Sequence, residues 1–151
     1  MTIKIIESRP DSEEAKGLIA ELSEVLQKIT GDDGTSSFSN EEFDHLKSSF
    51  LVLQDDGKSV ACGSIRPLGE DACEIKRMYC RKTGKGLGKQ MLQALEIKAV
   101  NLGFNEIRLS TRKINSTAVE FYKANNYAIC EAYGKYLHQP ESICLSKLLT
   151  N

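Results

Sequence analysis

Three glycines alternate at Gly84, Gly86 and Gly88, where a strand-like segment, Cys73–Cys80, gives way to a helical one. No other stretch restricts the fold as strongly. Glycine lacks a Cβ, so the backbone there can approach a ligand or a neighbouring element closely and can turn left-handed. A helix starting at such a point presents unpaired N–H groups and the positive end of its dipole. Together these make an anion site suited to phosphate. Lys82, Lys85 and Lys89 add mobile positive charge around it. The alternative on the same residues is a turn that only lets strand and helix pack.

Two familiar nucleotide loops do not fit. A P-loop needs Gly, four residues, then Gly-Lys-Ser/Thr; here Gly88-Lys89 is followed by Gln90, and Thr83 stands five before Gly88. A dinucleotide fingerprint needs GxGxxG, but the third position falls on Lys89 counted from Gly84 and on Met91 counted from Gly86.

The elements around the loop follow from periodicity. Ile3, Ile5 and Ile6 predict a first strand, broken at Arg9–Ser12. Leu18, Leu22, Val25, Leu26 and Ile29 recur at helical spacing, so a helix runs from about Ser12 to Ile29. Thr30–Asn40 is a Gly/Asp/Ser loop, and Ser39 with Glu42 resembles a capping box for a short second helix through Lys47. Phe50–Gln54 and Ser59–Arg66 are strands joined by the turn Asp55–Lys58, the second ended by Pro67. After the glycines, Leu87, Met91, Leu95 and Ala99 form one helical stripe, closed by Gly103 in a left-handed conformation with Phe104 packing back. A strand over Ile107–Thr111, a helix over Ser116–Asn125 and strands over Tyr127–Cys130 and Ile143–Leu149 complete the chain. The order predicts an α/β fold with a mixed, mostly antiparallel central sheet flanked by helices, as a single domain over residues 1–151.

Composition adds exclusions. A net charge of -1 with no block of like charge gives no nucleic-acid footprint. No run approaches the ~20 apolar residues of a membrane span. The five cysteines form no CxxC pair, so reduced, mostly buried thiols, no metal site and a cytoplasmic location are expected. His45 and His138 lie near no triad or zinc pattern.

The strand Ile75–Cys80, the loop Gly84-Lys85-Gly86-Leu87-Gly88-Lys89, the following Met91-Leu92 and the later Asn115-x-x-Ala118-x-x-Phe121-Tyr122 together resemble the GNAT N-acetyltransferase superfamily. That family opens its loop with Arg or Gln, where this chain has Thr83; its later Gly-Phe is Asn126-Tyr127 here. The resemblance implies an acyl-CoA N-acyltransferase fold and acetyl-CoA as cosubstrate. It places the pantetheine arm along the backbone of Met78, Tyr79 and Cys80, and the pyrophosphate on the N–H groups of Lys82, Thr83, Gly84, Lys85, Gly86, Leu87, Gly88 and Lys89. Asn115 would hold the pantetheine and Tyr122 would approach the sulfur. Homodimers, common in such families, are a further expectation.

The chemistry implied is acetyl transfer to a primary amine by direct attack in a ternary complex. An alkylammonium, with a pKa near ~10.4, must lose a proton before attacking. Glu74 is the candidate base, four residues before Met78, so that alternation puts both on one side of the sheet; it can equally be an exposed carboxylate or a lysine partner. A strand N–H near Met78 would stabilise the oxyanion. Tyr122 is the candidate acid for the departing thiolate, or plain core; Asn115 can be a helix cap as well. The alternative is a non-catalytic acyl-CoA-binding or sensing module; a third reading is an unrelated nucleotide-binding protein. The acceptor, a small molecule or a protein amine, is not specified. Asp32, Asp33, Glu41, Glu42 and Asp44 would attract a cationic amine or form a solvated face, and Tyr133–Tyr136 would cover the acceptor.

Overall fold

The computed structural model describes residues 2–35, 47–81 and 85–149. Strand β1 spans Ile3–Ser8, helix α1 Glu13–Thr30, and strands β2, β3 and β4 span Ser49–Asp55, Lys58–Leu68 and Ala72–Cys80. Helix α2 follows over Leu87–Asn101, then β5 over Glu106–Arg112, α3 over Ser116–Ala124 and β6 over Ala128–Cys130. A 3-10 turn over Gly134–His138 leads into β7, Ser142–Leu148. The seven strands form one sheet in the order β1-β2-β3-β4-β5-β7-β6. Only the β4–β5 pair is parallel; the others are antiparallel.

Each helix starts and stops where local chemistry dictates. Ser12 caps α1, its side chain accepting from the Ala15 N–H at 3.2 Å, and Gly31 closes the helix at φ 78°. Gly103, at φ 96°, follows α2, and Phe104 folds back into the core at 3 % exposure. The two sheet faces alternate along the strands. Val52 and Cys62 meet Ala15 and Leu18 of α1 on one face. Leu51, Leu53, Ala61 and Ile75 meet Leu87, Met91, Leu92 and Leu95 of α2 and Tyr122 of α3 on the other. No described helix is long and apolar enough to cross a membrane.

Two expectations change. Strand β3 does not stop at Pro67: Pro67 pairs with Cys73 and Leu68 with Ala72. The β2 ladder has already ended at Ser49–Ile65, so no strand on that side asks Pro67 for an N–H. The short helix expected from Ser39 to Lys47 lies, except for Lys47, outside the described residues. All five cysteines are free thiols. Burial pushes the Cys62 and Cys73 thiols up to about 12.

Candidate functional site

The sheet opens between β4 and β5. Their pairing is confined to Ala72–Glu106, Cys73–Ile107 and Glu74–Arg108. Beyond that point β5 stays with β7 through Arg112–Ser142, while among the described residues the rest of β4 keeps a strand partner only on its β3 side. The β5-facing edge from Ile75 onward is therefore an open ladder, able to accept an extended ligand as an added strand.

A bulge shapes the same stretch. Cys62 pairs with Tyr79 and Ser64 with Lys76, so Arg77 and Met78 together oppose Gly63. Arg77 takes φ 53° to accommodate the extra residue. Gly63 leaves the space this needs: a Cβ there would stand 2.7 Å from Leu95 Cδ1 and 3.2 Å from Met78 Sδ. The bulge reverses the side-chain alternation. Cys73, Ile75, Met78 and Cys80 all pack on the α2 face, whereas Tyr79 packs with the α1-side cluster.

Glu74 and Met78 consequently face opposite sides of the sheet, which corrects the alternation expected from their spacing. Glu74 is fully buried and does not line the cleft. Its Oε1 accepts from Arg66 Nε at 2.8 Å and its Oε2 from the Tyr133 hydroxyl at 2.7 Å; Lys76 Nζ is 3.8 Å from Oε1. Lys76 also donates to the Tyr136 hydroxyl at 3.2 Å. Burial, reinforced by the Glu74 charge, raises the Tyr133 phenol well above its ordinary range.

A cleft of about 220 Å³ occupies the opening. On its α3 side stand Met78, Leu109, Asn115, Ala118 and Tyr122; on its α1 side stand Leu22, Leu26, Arg77, Lys76 and Tyr136. Tyr122 is held edge-on between Phe121 at 5.2 Å and Tyr127 at 5.6 Å. Burial raises its phenol above the ordinary value. Asn115 caps α3, its side chain accepting from the Ala118 N–H at 3.4 Å, and lines the cleft as well.

The glycine loop has separable parts. Gly86 is the N-cap of α2 at φ 72°, and a Cβ there would meet none of the described residues within 4 Å, so its requirement there is conformational. Gly88 is there for packing: a Cβ would lie 3.4 Å from Phe121 Cε1. Among the described residues no side chain caps α2, and no acid lies in its first turn. The first helical bond is from Gln90 N–H to the Gly86 carbonyl at 3.1 Å. The N–H groups of Leu87, Gly88 and Lys89 precede it and have no intrahelical acceptor. Lys85 and Lys89 are exposed, whereas the Leu87 side chain is buried, leaving its backbone alone for a ligand. Lys82, Thr83 and Gly84 lie outside the described residues.

Other expected residues divide. Cys80 is half-buried against the α2-side core, and the Tyr79 hydroxyl donates to Glu21 at 3.1 Å, so only their backbones remain for a ligand. Arg81 also binds Glu21, pinning the end of β4 to α1. His138 sits exposed on the 3-10 turn, and His45 lies outside the described residues. Asp32 accepts from Arg112 at 3.2 Å and from the Gly34 N–H at 2.9 Å. Asp33 accepts from the Thr35 N–H and hydroxyl, which hold its carboxyl below the ordinary range. Glu41, Glu42 and Asp44 are outside the described residues. Lys76, Arg77 and Arg112 line the cleft although sequence reasoning gave them no site role; the bulge that turns Arg77 leaves no periodic signature.

This frame recurs in known proteins. The acetyltransferase (GNAT) family model matches residues 19–127. An IAA acetyltransferase from Azospirillum brasilense is 30 % identical over 103 residues, covering 66 % of this chain and 67 % of that protein. Matches to other curated relatives cover as little as 52 % of their length. A Klebsiella pneumoniae protein assigned to the acyl-CoA N-acyltransferases superposes with a TM-score of 0.82 at 27 % identity, covering 99 % of both chains. A GNAT family acetyltransferase from Elizabethkingia anophelis, solved with acetyl-CoA bound, superposes at 0.71 with 15 % identity, covering 97 % of this chain and 98 % of that one. With the family model matching well over half of the chain, from within α1 through α3, this chain belongs to the acetyltransferase (GNAT) family.

Proposed function

We propose that residues 1–151 act as one domain that moves the acetyl group of acetyl-CoA to a primary amine by direct attack in a ternary complex, in the cytoplasm. The observation that carries this reading is the open β4 edge, which leads from a cleft containing Tyr122 toward the uncapped start of α2. An extended amide chain suits the first and a pyrophosphate the second.

In this reading the backbone of Met78, Tyr79 and Cys80 pairs with the pantetheine arm. The N–H groups from Lys82 through Lys89 take the pyrophosphate, and Asn115 holds the arm while capping α3. Acetyl-CoA supplies an acyl carbon bonded to a good leaving sulfur. The acceptor ammonium first gives a proton to water. Its nitrogen then forms the C–N bond as the C–S bond breaks. The Tyr122 O–H, kept protonated by burial, donates to the departing sulfur, and the second proton shed by nitrogen replaces it. An N–H near Met78 stabilises the oxygen that gains charge in between. Glu74 does not touch the amine; it positions Tyr133 and Lys76 behind the acceptor.

The test is the thermal shift of the protein with acetyl-CoA against CoA, ATP and NAD. A ligand at 100 times its dissociation constant adds ~2.7 kcal/mol, or several degrees for a domain of this size. A shift with acetyl-CoA, little with ATP or NAD, and an acetylated amine by mass spectrometry are expected; no shift at millimolar acetyl-CoA defeats the reading. One observation favours a non-catalytic acyl-CoA-binding or sensing module instead: among the described residues the one carboxylate lining the cleft, Asp32, is engaged by Arg112. Tight binding without transfer to any amine of a broad panel would decide for it.

A further inference from the structure

Two of the five thiols meet across the sheet. Cys130 of β6 stands directly opposite Cys144 of β7. Opposed residues of an antiparallel pair point to the same face, with Cα atoms about 4.5 or 5.5 Å apart. Both spacings fall within the roughly 4.4–6.8 Å that a disulfide spans. Closing the bond asks the Cβ atoms to draw in from about 5 Å to about 4 Å. Strand β6 can give that much: it is three residues long, and among the described residues it is paired on one side only. The other thiols lack such a partner. Cys62 and Cys80 lie on adjacent strands but pack on opposite faces, the first with the α1-side cluster and the second with the α2-side core. Cys73 is opposed by Pro67 and Ile107.

The two thiols differ in access. Cys130 is half-buried, whereas Cys144 is 4 % exposed, so a reagent meets Cys130 first. Burial raises the Cys130 thiol above its ordinary value, and the Ser146 hydroxyl and the Arg108 charge work against that rise. The pair is also the last rung of β6 before the chain leaves the sheet. The segment that leaves carries Tyr133, bonded to Glu74, and the 3-10 turn, where Lys135 and Tyr136 line the cleft. It returns at β7 past Gln139 and Ser142, which line the cleft as well. A covalent bond between Cys130 and Cys144 would close this loop at its root.

We infer that Cys130 and Cys144 are a modification site: a dithiol that exchanges with a small disulfide of the glutathione class and closes into a cross-strand bond, fixing the segment over the cleft. The Cys130 thiolate attacks one sulfur of the small disulfide, and the other sulfur leaves as a thiolate. Cys144, after losing its proton to water, attacks the Cys130 sulfur of the mixed disulfide and expels the second small thiolate. Two protein thiols are oxidised and one small disulfide is reduced to two thiols. Disulfides of reducing compartments are transient, so the bond forms when the glutathione pool turns oxidising and opens when it recovers. This chemistry does not depend on the acetyl-transfer reading.

The experiment holds the full chain in glutathione buffers of graded oxidised-to-reduced ratio, quenches with N-ethylmaleimide and maps the thiols by mass spectrometry. One intramolecular bond is expected, joining the Cys130 and Cys144 peptides, with Cys62 and Cys73 still reduced. Cys144→Ala removes the thiol that resolves the mixed disulfide and should hold one glutathione on Cys130. Cys130→Ser should show neither bond nor adduct at Cys144. In the oxidised parent, amide exchange across residues 131–141 should slow several-fold and the melting temperature should rise by several degrees, both returning with dithiothreitol. The site is overturned if both thiols stay open to alkylation at every ratio, if the bond maps to another pair, or if folded Cys144→Ala carries no adduct on Cys130. The map of the parent chain decides even where that variant folds poorly. Unchanged exchange across residues 131–141 in the oxidised chain would refute the fixing of the segment.

Discussion

The hydroxyl of Tyr133 donates to Oε2 of Glu74 across 2.7 Å, and through this bond the turn Gly134–His138 is fastened near the start of β4. Glu74→Gln leaves the Arg66 and Lys76 cations without their carboxylate. Because the Arg66 side chain is 31 % exposed and can reach water, the cost should be about 2–4 kcal/mol, below a fully buried pair. Tyr133→Phe should cost about 1.5–3 kcal/mol for a hydrogen bond to a charged group. Urea midpoints at unchanged m-value check both. Each should also raise the KM for the amine and leave the acetyl-CoA thermal shift alone. A loss of kcat with no change in that KM would argue that Glu74 meets the amine itself.

Gly86 and Gly88 should respond differently to the same change. Gly86→Ala places a Cβ clear of the described residues but at φ 72°, costing about 1 kcal/mol of backbone strain, and Gly86→Val should cost more. Gly88→Ala brings a methyl to 3.4 Å from Phe121 and should be nearly tolerated, whereas Gly88→Leu must push α3 aside. Isothermal titration with acetyl-CoA is expected to show the largest loss for Gly86→Val and Gly88→Leu, with Gly88→Ala close to the parent.

Tyr122→Phe keeps the ring between Phe121 and Tyr127 and removes only the hydroxyl. The fold should hold and acetyl-CoA should bind, while kcat falls about 10²-fold, the scale of one positioned proton donor. An unchanged kcat would return Tyr122 to a packing role.

Alkaline pH should unfold the protein early. The Cys62 and Cys73 thiols sit at about 12 when folded against an ordinary 9.0. Between those values the unfolded chain releases protons that the folded one keeps, so stability falls as pH rises. The slope is up to about 1.4 kcal/mol per pH unit for each thiol. Tyr127 and Tyr133, also shifted upward by burial, add to the loss from about pH 10. Urea melts from pH 7 to 10.5 should show this decline, and Cys73→Ala should flatten it. A midpoint independent of pH across that range would contradict the burial of these thiols.

Much of the frame was legible because it depends on local rules. Periodicity gives α1 and α2, Ser12 and Gly103 mark their ends, and the glycines announce the strand-to-helix turn. What was not legible depends on pairing across the chain. The bulge at Arg77 exists because Gly63, fourteen positions earlier, yields to Leu95 and Met78; no window along β4 alone contains that information. The same bulge moved Glu74 away from Met78. Pro67 read as a stop because its tolerance depends on where β2 ends. The Lys76, Arg112 and Tyr136 side of the cleft is drawn from β4, β5 and the 3-10 turn, three segments that come together only after folding.

The short join between β4 and β5 bears on more than the opening it creates. Among the described residues three residue pairs, with two backbone bonds to the Asp71 carbonyl beside them, join the four-stranded leaf β1–β4 to the three-stranded leaf β5–β7–β6. The backbone ladder is thus nearly severed at its centre, and the leaves are held together mainly by the side chains of their shared core. An extended ligand laid along the free rungs of β4 would act as a suture. Amide protons in both leaves should then exchange with solvent as one cooperative unit when it is bound, and as two units of unequal protection when it is absent.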